Sequence, residues 1–219
     1  MAELVPAVFF FRFTFPCRYR VLTAHSPTER LLDLPQQYAL PHLAELNRQK
    51  TFADVRVAWS EEGLGIQVLV RGKERPPLGD AQRPRSSDGL HVWISTRGGR
   101  PIQRADRYCH YFYFLPTGGG EDRESPVAGQ LSIPRAIENA PNCSPTDLAL
   151  YVERYGNGYL LEGVVSAAAL HGYDPENHPG LGFFYWIRDL ELGDQTLTVG
   201  PDFPFWENPS LWCTLQLER

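Results

Sequence analysis

One short loop, LHGYDPENHPG, holds the densest group of side chains that could ligate a metal. Its candidates are His171, Asp174, Glu176 and His178. Imidazole and carboxylate groups suit zinc and other first-row metals, but these four follow no standard ligand spacing. The prolines and glycines around them are typical of an exposed loop. We therefore expect no metal site here, and an enzyme that uses the acidic residues of this loop is the weaker alternative.

Other catalytic patterns do not assemble in the sequence. No G-x-S-x-G nucleophile elbow occurs, and the run TGGGED lacks the lysine and helix of a phosphate-binding loop. Glu162 alternates with apolar neighbours, so it is predicted to be a strand-surface residue or the buried partner of an arginine. His110 lies in an aromatic strand, where packing is its expected role. We predict no catalytic residues and no cofactor.

Aromatic residues give a stronger signal than the polar ones. The stretch YCHYFYF places Tyr111 and Tyr113 on one face of a strand and Phe112 and Phe114 on the other. Tyrosine and tryptophan rings on a sheet can stack on the apolar faces of sugar rings, while their polar edges bind hydroxyl groups. The same rings could simply fill the core of a β-sandwich. The pattern leaves both uses open.

Composition and charge exclude some partners. The chain has 21 basic and 26 acidic residues, a net charge of −5, which disfavours nucleic acids and anionic membranes. The sequence contains no run of 18 apolar residues, so we expect no membrane span. The apolar start carries Glu3 and Arg12 and lacks a small-x-small cleavage site, so we expect a cytoplasmic protein. In a reducing compartment free thiols are favoured over two disulfides for the four cysteines, Cys17, Cys109, Cys143 and Cys213.

Alternating segments predict the elements that must position these residues. Two hairpins stand out, ADVRVAWSEEGLGIQVLVRG and LALYVERYGNGYLLEGVV, the second turning at Asn157-Gly158. An N-terminal strand is predicted from the alternation of Phe9, Phe11, Phe13 and Phe15. Four further segments bring the total to at least eight strands, which predicts an all-β, antiparallel two-sheet β-sandwich. Helix is expected only as short stretches within residues 37–49 and 166–172.

The order of these segments over residues 50–218 resembles the family 9 carbohydrate-binding modules and the related DOMON-type sandwiches. The resemblance rests on the hairpin ADVRVAWSEEGLGIQVLVRG followed by SSDGLHVWIST, HYFYFLP, GYLLEGVVSAAAL, GLGFFYWIRD and FWENPSLWCTLQL. The chain length fits a single domain over residues 1–219, and the resemblance implies an immunoglobulin- or jelly-roll-like architecture for its core. In that domain residues 1–50 add strands and a short helix to the module-like core. It also implies a non-catalytic protein that binds a saccharide.

The resemblance further implies where the saccharide would bind. Sugar-binding members clamp their ligand between two tryptophans, and Trp206 matches the second of these positions. Arg85 falls at the first, where a guanidinium could stack on a ring or grip the carboxylate of an acidic sugar. His91 and Tyr113 fall at positions of polar sugar contacts. These four residues are the predicted ligand site.

Two further features of the family concern bound haem and bound calcium. DOMON relatives that hold b-type haem use a methionine with a histidine, and the only methionine here is Met1, so no haem is expected. Some family members hold structural calcium, for which Asp88 and Asp189 are candidate ligands, with turn capping as the alternative. The rival functional interpretation is an intracellular protein-interaction or scaffold domain that has lost the sugar site.

Overall fold

The computed structural model describes residues 11–22, 29–43 and 49–219. Strands form most of the regular structure in these residues: β1 (Thr14–Tyr19), β2 (Ala53–Ser60), β3 (Gly63–Arg71), β4 (Gly89–Ser95), β5 (Cys109–Gly119), β6 (Ser125–Leu131), β7 (Leu148–Tyr155), β8 (Gly158–Ser166), β9 (Gly180–Asp189), β10 (Gly193–Thr196) and β11 (Cys213–Glu218). Three-residue 3₁₀ turns lie at Gln36–Tyr38, Pro84–Ser86, Pro145–Asp147, Ala167–Ala169 and Pro209–Leu211. The predicted all-β class with little helix is confirmed. No helix among the described residues has the length and apolar character needed to cross a membrane.

Both predicted hairpins form. β2 pairs with β3 in antiparallel register from Ala53 opposite Val70 to Ser60 opposite Gly63. β7 pairs with β8 as well, but Tyr155 lies opposite Gly158, so the chain turns at Gly156-Asn157, one residue earlier than the sequence predicts. A Cβ atom at Gly158 would overlap the carbonyl oxygen of Val70, so only glycine fits where the hairpin meets β3.

The strands form one continuous hydrogen-bonded sheet, in the order β6-β5-β4-β9-β11-β1-β2-β3-β8-β7, and β10 pairs with β9. β1 joins the two halves because it pairs in parallel with β11 on one side and with β2 on the other. At the free edges Arg154 of β7 donates to the carbonyl oxygens of Pro116 and Glu124, next to β6. The sheet is therefore nearly closed and barrel-like, and the prediction of two separate antiparallel sheets needs correction. Alternation of apolar and polar residues predicts a strand but does not identify the strand with which it pairs. The pairing of β1 with both β11 and β2 therefore could not be predicted from the sequence.

The predicted N-terminal elements are met in part. Phe9 and Phe10, and most of the helical stretch expected after Pro41, lie outside the described residues. β1 begins at Thr14, later than the aromatic alternation indicates, and buries Phe15 against the core. The turn predicted near residue 170 is present as the 3₁₀ turn Ala167–Ala169.

The barrel interior is filled by side chains from both halves. Phe114 of β5 lies directly over Gly163 of β8, where a Cβ atom would come within 2.9 Å of the phenyl ring. Around this contact lie fully buried aliphatic and aromatic side chains, among them Val92, Phe112 and Leu161. Each such side chain contributes about 1.5–3 kcal/mol through burial.

Residues 29–43 cover the outer side of β2, β3 and β8. Leu32 packs on Gly65, where a Cβ atom would lie 2.6 Å from the leucine Cδ2. The backbone N–H of Leu34 donates to the side-chain oxygen of Gln67 over 2.7 Å. A small apolar cluster that includes Leu22 and Ala58 therefore seals this side of the sheet.

A buried carboxylate anchors the same segment. Glu162 is fully buried and accepts hydrogen bonds from the backbone N–H groups of Leu31 (2.7 Å), Leu32 (3.1 Å) and Asp33 (3.1 Å). The Arg30 guanidinium donates to it over 2.7 Å. Of the two roles predicted for Glu162, the buried arginine partner is the one observed.

Two buried histidines shape the pH dependence of stability. His110 is buried, as predicted, and stacks on Phe112 with ring centroids 5.9 Å apart. Burial lowers the pKa of His110 to about 4. His91 is also buried, and burial, with the nearby charges of Arg85 and Arg188 adding to it, lowers its pKa to about 3.

We expect the free energy of unfolding to fall as the pH drops from 7 towards 4. The unfolded histidines take up protons below a pH of about 6.5, whereas the folded ones stay neutral, so each adds a slope of up to about 1.4 kcal/mol per pH unit. His110→Leu should remove one such contribution. Urea unfolding at several pH values checks this, with the exposed His42→Leu as control. Equal slopes for the wild type and His110→Leu would contradict the expectation.

Candidate functional site

Strands β4, β5 and β9 present aromatic side chains to the outside of the barrel. The register places His91 opposite Tyr113 of β5 and Trp186 of β9. It places the next outward residue, Trp93, opposite Tyr111 and Phe184 of the same two strands. Side chains in register point to the same side of a sheet. They form the outer aromatic face: His91, Trp93, Tyr111, Tyr113, Phe184 and Trp186.

Much of the outer aromatic face is covered by the loop before β11. Phe205 of this loop stacks on Phe184, with centroids 4.5 Å apart, and meets Trp93 edge-on at 5.4 Å. Trp93 in turn stacks on Tyr111 at 4.4 Å. The centre of this face is therefore a second small core, and its rim is the part that a ligand could reach.

The two terminal tryptophans have different environments. Trp212 is buried, and its indole N–H donates to the carbonyl oxygen of Phe205 over 2.8 Å, which fixes the loop to the sheet. Trp206 is only half-buried and meets Phe205 edge-on with 5.4 Å between ring centroids. Of the two indoles, Trp206 is thus the one with a surface that a ligand could contact.

Arg85 lies at the edge of the outer aromatic face, next to Tyr111. It is exposed in the 3₁₀ turn Pro84–Ser86, and its guanidinium carbon lies 5.1 Å from the centre of the Tyr111 ring. Ser87 holds the turn in place, since its hydroxyl accepts from the Asp80 N–H at 2.8 Å. The guanidinium is therefore supported from below by an aromatic ring and open above.

The other two predicted contacts lie beside Arg85. His91 is fully buried, and its Nδ1 shares a 3.0 Å hydrogen bond with the Tyr111 hydroxyl, so it supports the platform under Arg85. Tyr113 is half-buried, and its ring occupies the space above Gly129, where a Cβ atom would lie 2.7 Å from Cζ. Burial raises the pKa of Tyr113. Arg85 and His91 both contact Tyr111, and Tyr113 is in register with His91. Trp206 contacts Phe205, which meets Trp186 edge-on, and Trp186 in turn stacks on His91.

Two further residues at this rim, Trp186 and Arg188, were not predicted from the sequence. Trp186 is half-buried, stacks on His91 at 4.9 Å and donates its indole N–H to Asp194 over 2.9 Å. The Arg188 guanidinium lies 5.5 Å from the Trp186 ring, and its Nε has no hydrogen-bond partner among the described residues. The alternation in the stretch FYWIRD could have identified them, because it places Trp186 and Arg188 on the face opposite the buried Ile187.

Asp88 and Asp189 converge, as expected for a cation site, but the cation between them is a side chain. The buried ammonium of Lys73 lies 3.2 Å from an Asp88 oxygen and 2.6 Å from an Asp189 oxygen. Both carboxylates also accept backbone N–H groups, from Leu190 and Leu192 respectively. Burial alone would lower the pKa of Lys73, but the hydrogen bond to Asp189 and the two negative charges hold it above its usual value.

The loop that carries the metal-ligand types uses those side chains locally. His171 stacks on Tyr108 at 5.4 Å, and Asp174 accepts hydrogen bonds from Asn177. These bonds from Asn177 lower the pKa of Asp174. Within the described residues, no group of three His, Cys, Asp or Glu side chains is arranged to hold a metal ion.

The four cysteines are free thiols. Burial raises the pKa of Cys109 to about 11 and that of Cys213 to about 12. Cys17 is also buried, and its pKa is raised further for the same reason. These three thiols therefore stay protonated and unreactive in the folded protein.

Comparisons with known proteins bear on the fold. No family model and no curated protein matches the chain. Its structure is similar to a family 9 carbohydrate-binding module from Caldicellulosiruptor kristjanssonii in complex with cellotriose, with a TM-score of 0.62 and 12% identity over 94% of this chain and 93% of that chain. The glucose complex of a family 9 module from the same organism matches with a TM-score of 0.62 and 11% identity, over 94% of this chain and 95% of that chain. A protein from Bacteroides uniformis that has been proposed to bind carbohydrate matches with a TM-score of 0.55 and 12% identity, over 95% of this chain and 100% of that chain. The chain thus has the fold of family 9 carbohydrate-binding modules.

Proposed function

We propose that this protein binds carbohydrate without catalysis, at the rim of the outer aromatic face. The observation that carries the proposal is the pair of accessible planar groups at that rim, the half-buried Trp206 and the exposed Arg85. The structural neighbours, which bind cellotriose and glucose, support a sugar as the ligand class.

The rim offers the two kinds of contact that sugars need. The Trp206 indole is held at 5.4 Å from Phe205, so an apolar sugar face can stack on a ring that is already in place. Polar contacts come from Tyr113 and from Arg188, whose Nε is buried and without a partner among the described residues. The buried hydroxyl of Thr196, in register with Trp186, also finds no hydrogen-bond partner in the part of the chain that the structure describes.

An acidic sugar fits the charges better than a neutral one. The guanidinium groups of Arg85 and Arg188 both lie close enough to His91 to lower its pKa. Guanidinium groups bind planar carboxylates through paired N–H donors. We therefore propose that a uronic acid is preferred over glucose.

The sharpest test is calorimetry with cello-oligosaccharides and uronic-acid oligosaccharides. One stacking contact contributes about 1 kcal/mol beyond buried area, so we expect wild-type affinity in roughly the high micromolar range. Trp206→Ala should weaken binding by about tenfold for both sugar classes. Arg85→Ala should weaken binding of the uronic acids more than that of the neutral sugars.

The matched control is Tyr155→Ala, which removes an exposed aromatic side chain of β7, away from the rim. It should leave affinity unchanged. If the wild type binds neither sugar class, the function is not carbohydrate binding. If Trp206→Ala binds as well as the wild type, the sugar binds elsewhere.

A further inference from the structure

A cavity of about 160 Å³ lies at the far end of β4 from Arg85. Ser95, Gly182 and Thr214 form its floor. Ser95 is in register with Gly182, which is in register with Thr214, and Ser95 is two residues beyond Trp93. The cavity therefore opens on the same side as the outer aromatic face. It lies about 13 Å from His91 along the strand, at roughly 3.3 Å per residue.

The walls of this cavity carry positive charge. Arg12, Arg97 and Arg100 line it, and none of its lining residues is acidic. Arg100 pairs with Asp106 over 2.8 Å. Among the described residues, Arg12 and Arg97 form no salt bridge, so two of the three charges have no carboxylate partner.

The Arg97 guanidinium is held in place by uncharged groups. It donates to the carbonyl oxygens of Thr96 (3.0 Å) and Gly172 (2.5 Å), and its guanidinium carbon lies 4.6 Å from the centre of the Tyr108 ring. Asp174 is close enough for Arg97 to lower its pKa, but that carboxylate is already bound by Asn177. The guanidinium is thus fixed by neutral groups.

The turn between Arg97 and Arg100 is built to approach the sheet closely. A Cβ atom at Gly98 would lie 2.5 Å from the carbonyl oxygen of Gly180, so only glycine lets the turn pack there. Gly99 adopts a φ of 77°, which favours glycine as well. This turn brings Arg97 and Arg100 to the lining of the cavity, which Ser95 and Thr214 share.

We propose that this cavity binds an oxyanion, a phosphate, sulfate or carboxylate group, either free or carried by a larger ligand. Guanidinium groups donate paired hydrogen bonds to such groups, and hydroxyls can complete their coordination. The volume of about 160 Å³ is well above the roughly 10–15 Å³ that a single water needs on the same measure, so one tetrahedral oxyanion fits. The site shares no lining residue with the proposed sugar site, so it stands independently of that proposal.

The test is a titration with inorganic phosphate and sulfate, followed by calorimetry and thermal unfolding, against chloride at matched ionic strength. We expect both oxyanions to bind and to raise the melting temperature more than chloride does. Arg12→Gln should weaken binding by about tenfold, because one charge-assisted contact is lost. Arg12 is exposed and forms no bond to another described residue, so this variant should fold like the wild type.

Arg75→Gln, which removes another exposed arginine far from the cavity in sequence, is the charge-matched control and should bind as the wild type does. Trp206→Ala should also keep oxyanion binding, which separates this site from the sugar site. Glucose 6-phosphate and glucuronate, each measured on the wild type and on Arg12→Gln, distinguish the sources. Binding that is tighter than that of inorganic phosphate and acetate and that weakens in Arg12→Gln indicates a sugar that carries the anion, and equal binding indicates a free ion. Phosphate and sulfate that stabilise no more than chloride, or equal losses in Arg12→Gln and Arg75→Gln, would overturn the proposal.

Discussion

Replacing Glu162 with glutamine is expected to lower the free energy of unfolding by about 3–5 kcal/mol. The carboxylate is fully buried and accepts from three consecutive backbone N–H groups and from Arg30. An amide would keep one acceptor oxygen and turn an NH₂ group towards donors, so buried N–H groups would lose their partner. The loss should free residues 29–34 from the outer side of β8.

Urea unfolding measures this loss, with Glu121→Gln as the control because Glu121 is an exposed glutamate. The control should change stability by less than about 0.5 kcal/mol. Arg30→Ala should cost only about 1 kcal/mol, since the Arg30 side chain is 39% exposed and its ion pair is partly screened. If Glu162→Gln is no more damaging than Arg30→Ala, the backbone contacts of the carboxylate are not the main anchor.

Replacing Lys73 with methionine is expected to cost a similar amount, about 3–5 kcal/mol. Methionine keeps the apolar stem but removes the ammonium, which leaves Asp88 and Asp189 buried side by side. Two negative charges in a poorly solvated site repel each other, and their backbone N–H partners offset only part of that cost. The connections that begin at Arg71 and Asp189 should then loosen together.

A double variant distinguishes charge from packing. Lys73→Met combined with Asp189→Leu removes both members of the closest pair, so it should be less destabilised than the sum of the two single variants by about 1–3 kcal/mol. Lys50→Met serves as control because Lys50 is exposed. Strict additivity in this double-mutant cycle would show that Lys73 and Asp189 do not interact.

Local patterns predicted most of the strands because each signal lies within a few residues, but β6 and β10 were not predicted, and most of β6 was expected to be a loop. The hairpins at Gly63 and Gly158 needed only alternation and a turn. The parallel pairing of β1 with β11 joins Thr14 to Thr214, residues at opposite ends of the chain. No periodicity in either segment specifies that contact, so the continuous sheet could not be predicted.

The candidate site was predicted unevenly for a similar reason. Arg85 and Trp206 followed from the resemblance, and the structure places both at the rim of the outer aromatic face. The accessibility of His91 was not predictable, since its burial depends on the turn that carries Arg85 and on Trp186 of the neighbouring strand. The Lys73 cluster joins residues that are 116 positions apart and leaves no local pattern in the sequence.

The burial of Lys73 also means that labelling with an amine-reactive reagent can be followed at two distinct lysines, one buried and one exposed. Of its 21 basic residues only two are lysines, Lys50 and Lys73, and Lys50 is exposed. An amine-reactive dye should therefore modify Lys50 in the folded protein, and should reach Lys73 only when the cluster opens. Labelling of Lys73 over time, followed by mass spectrometry, would report how often this end of the barrel opens while the rest stays folded.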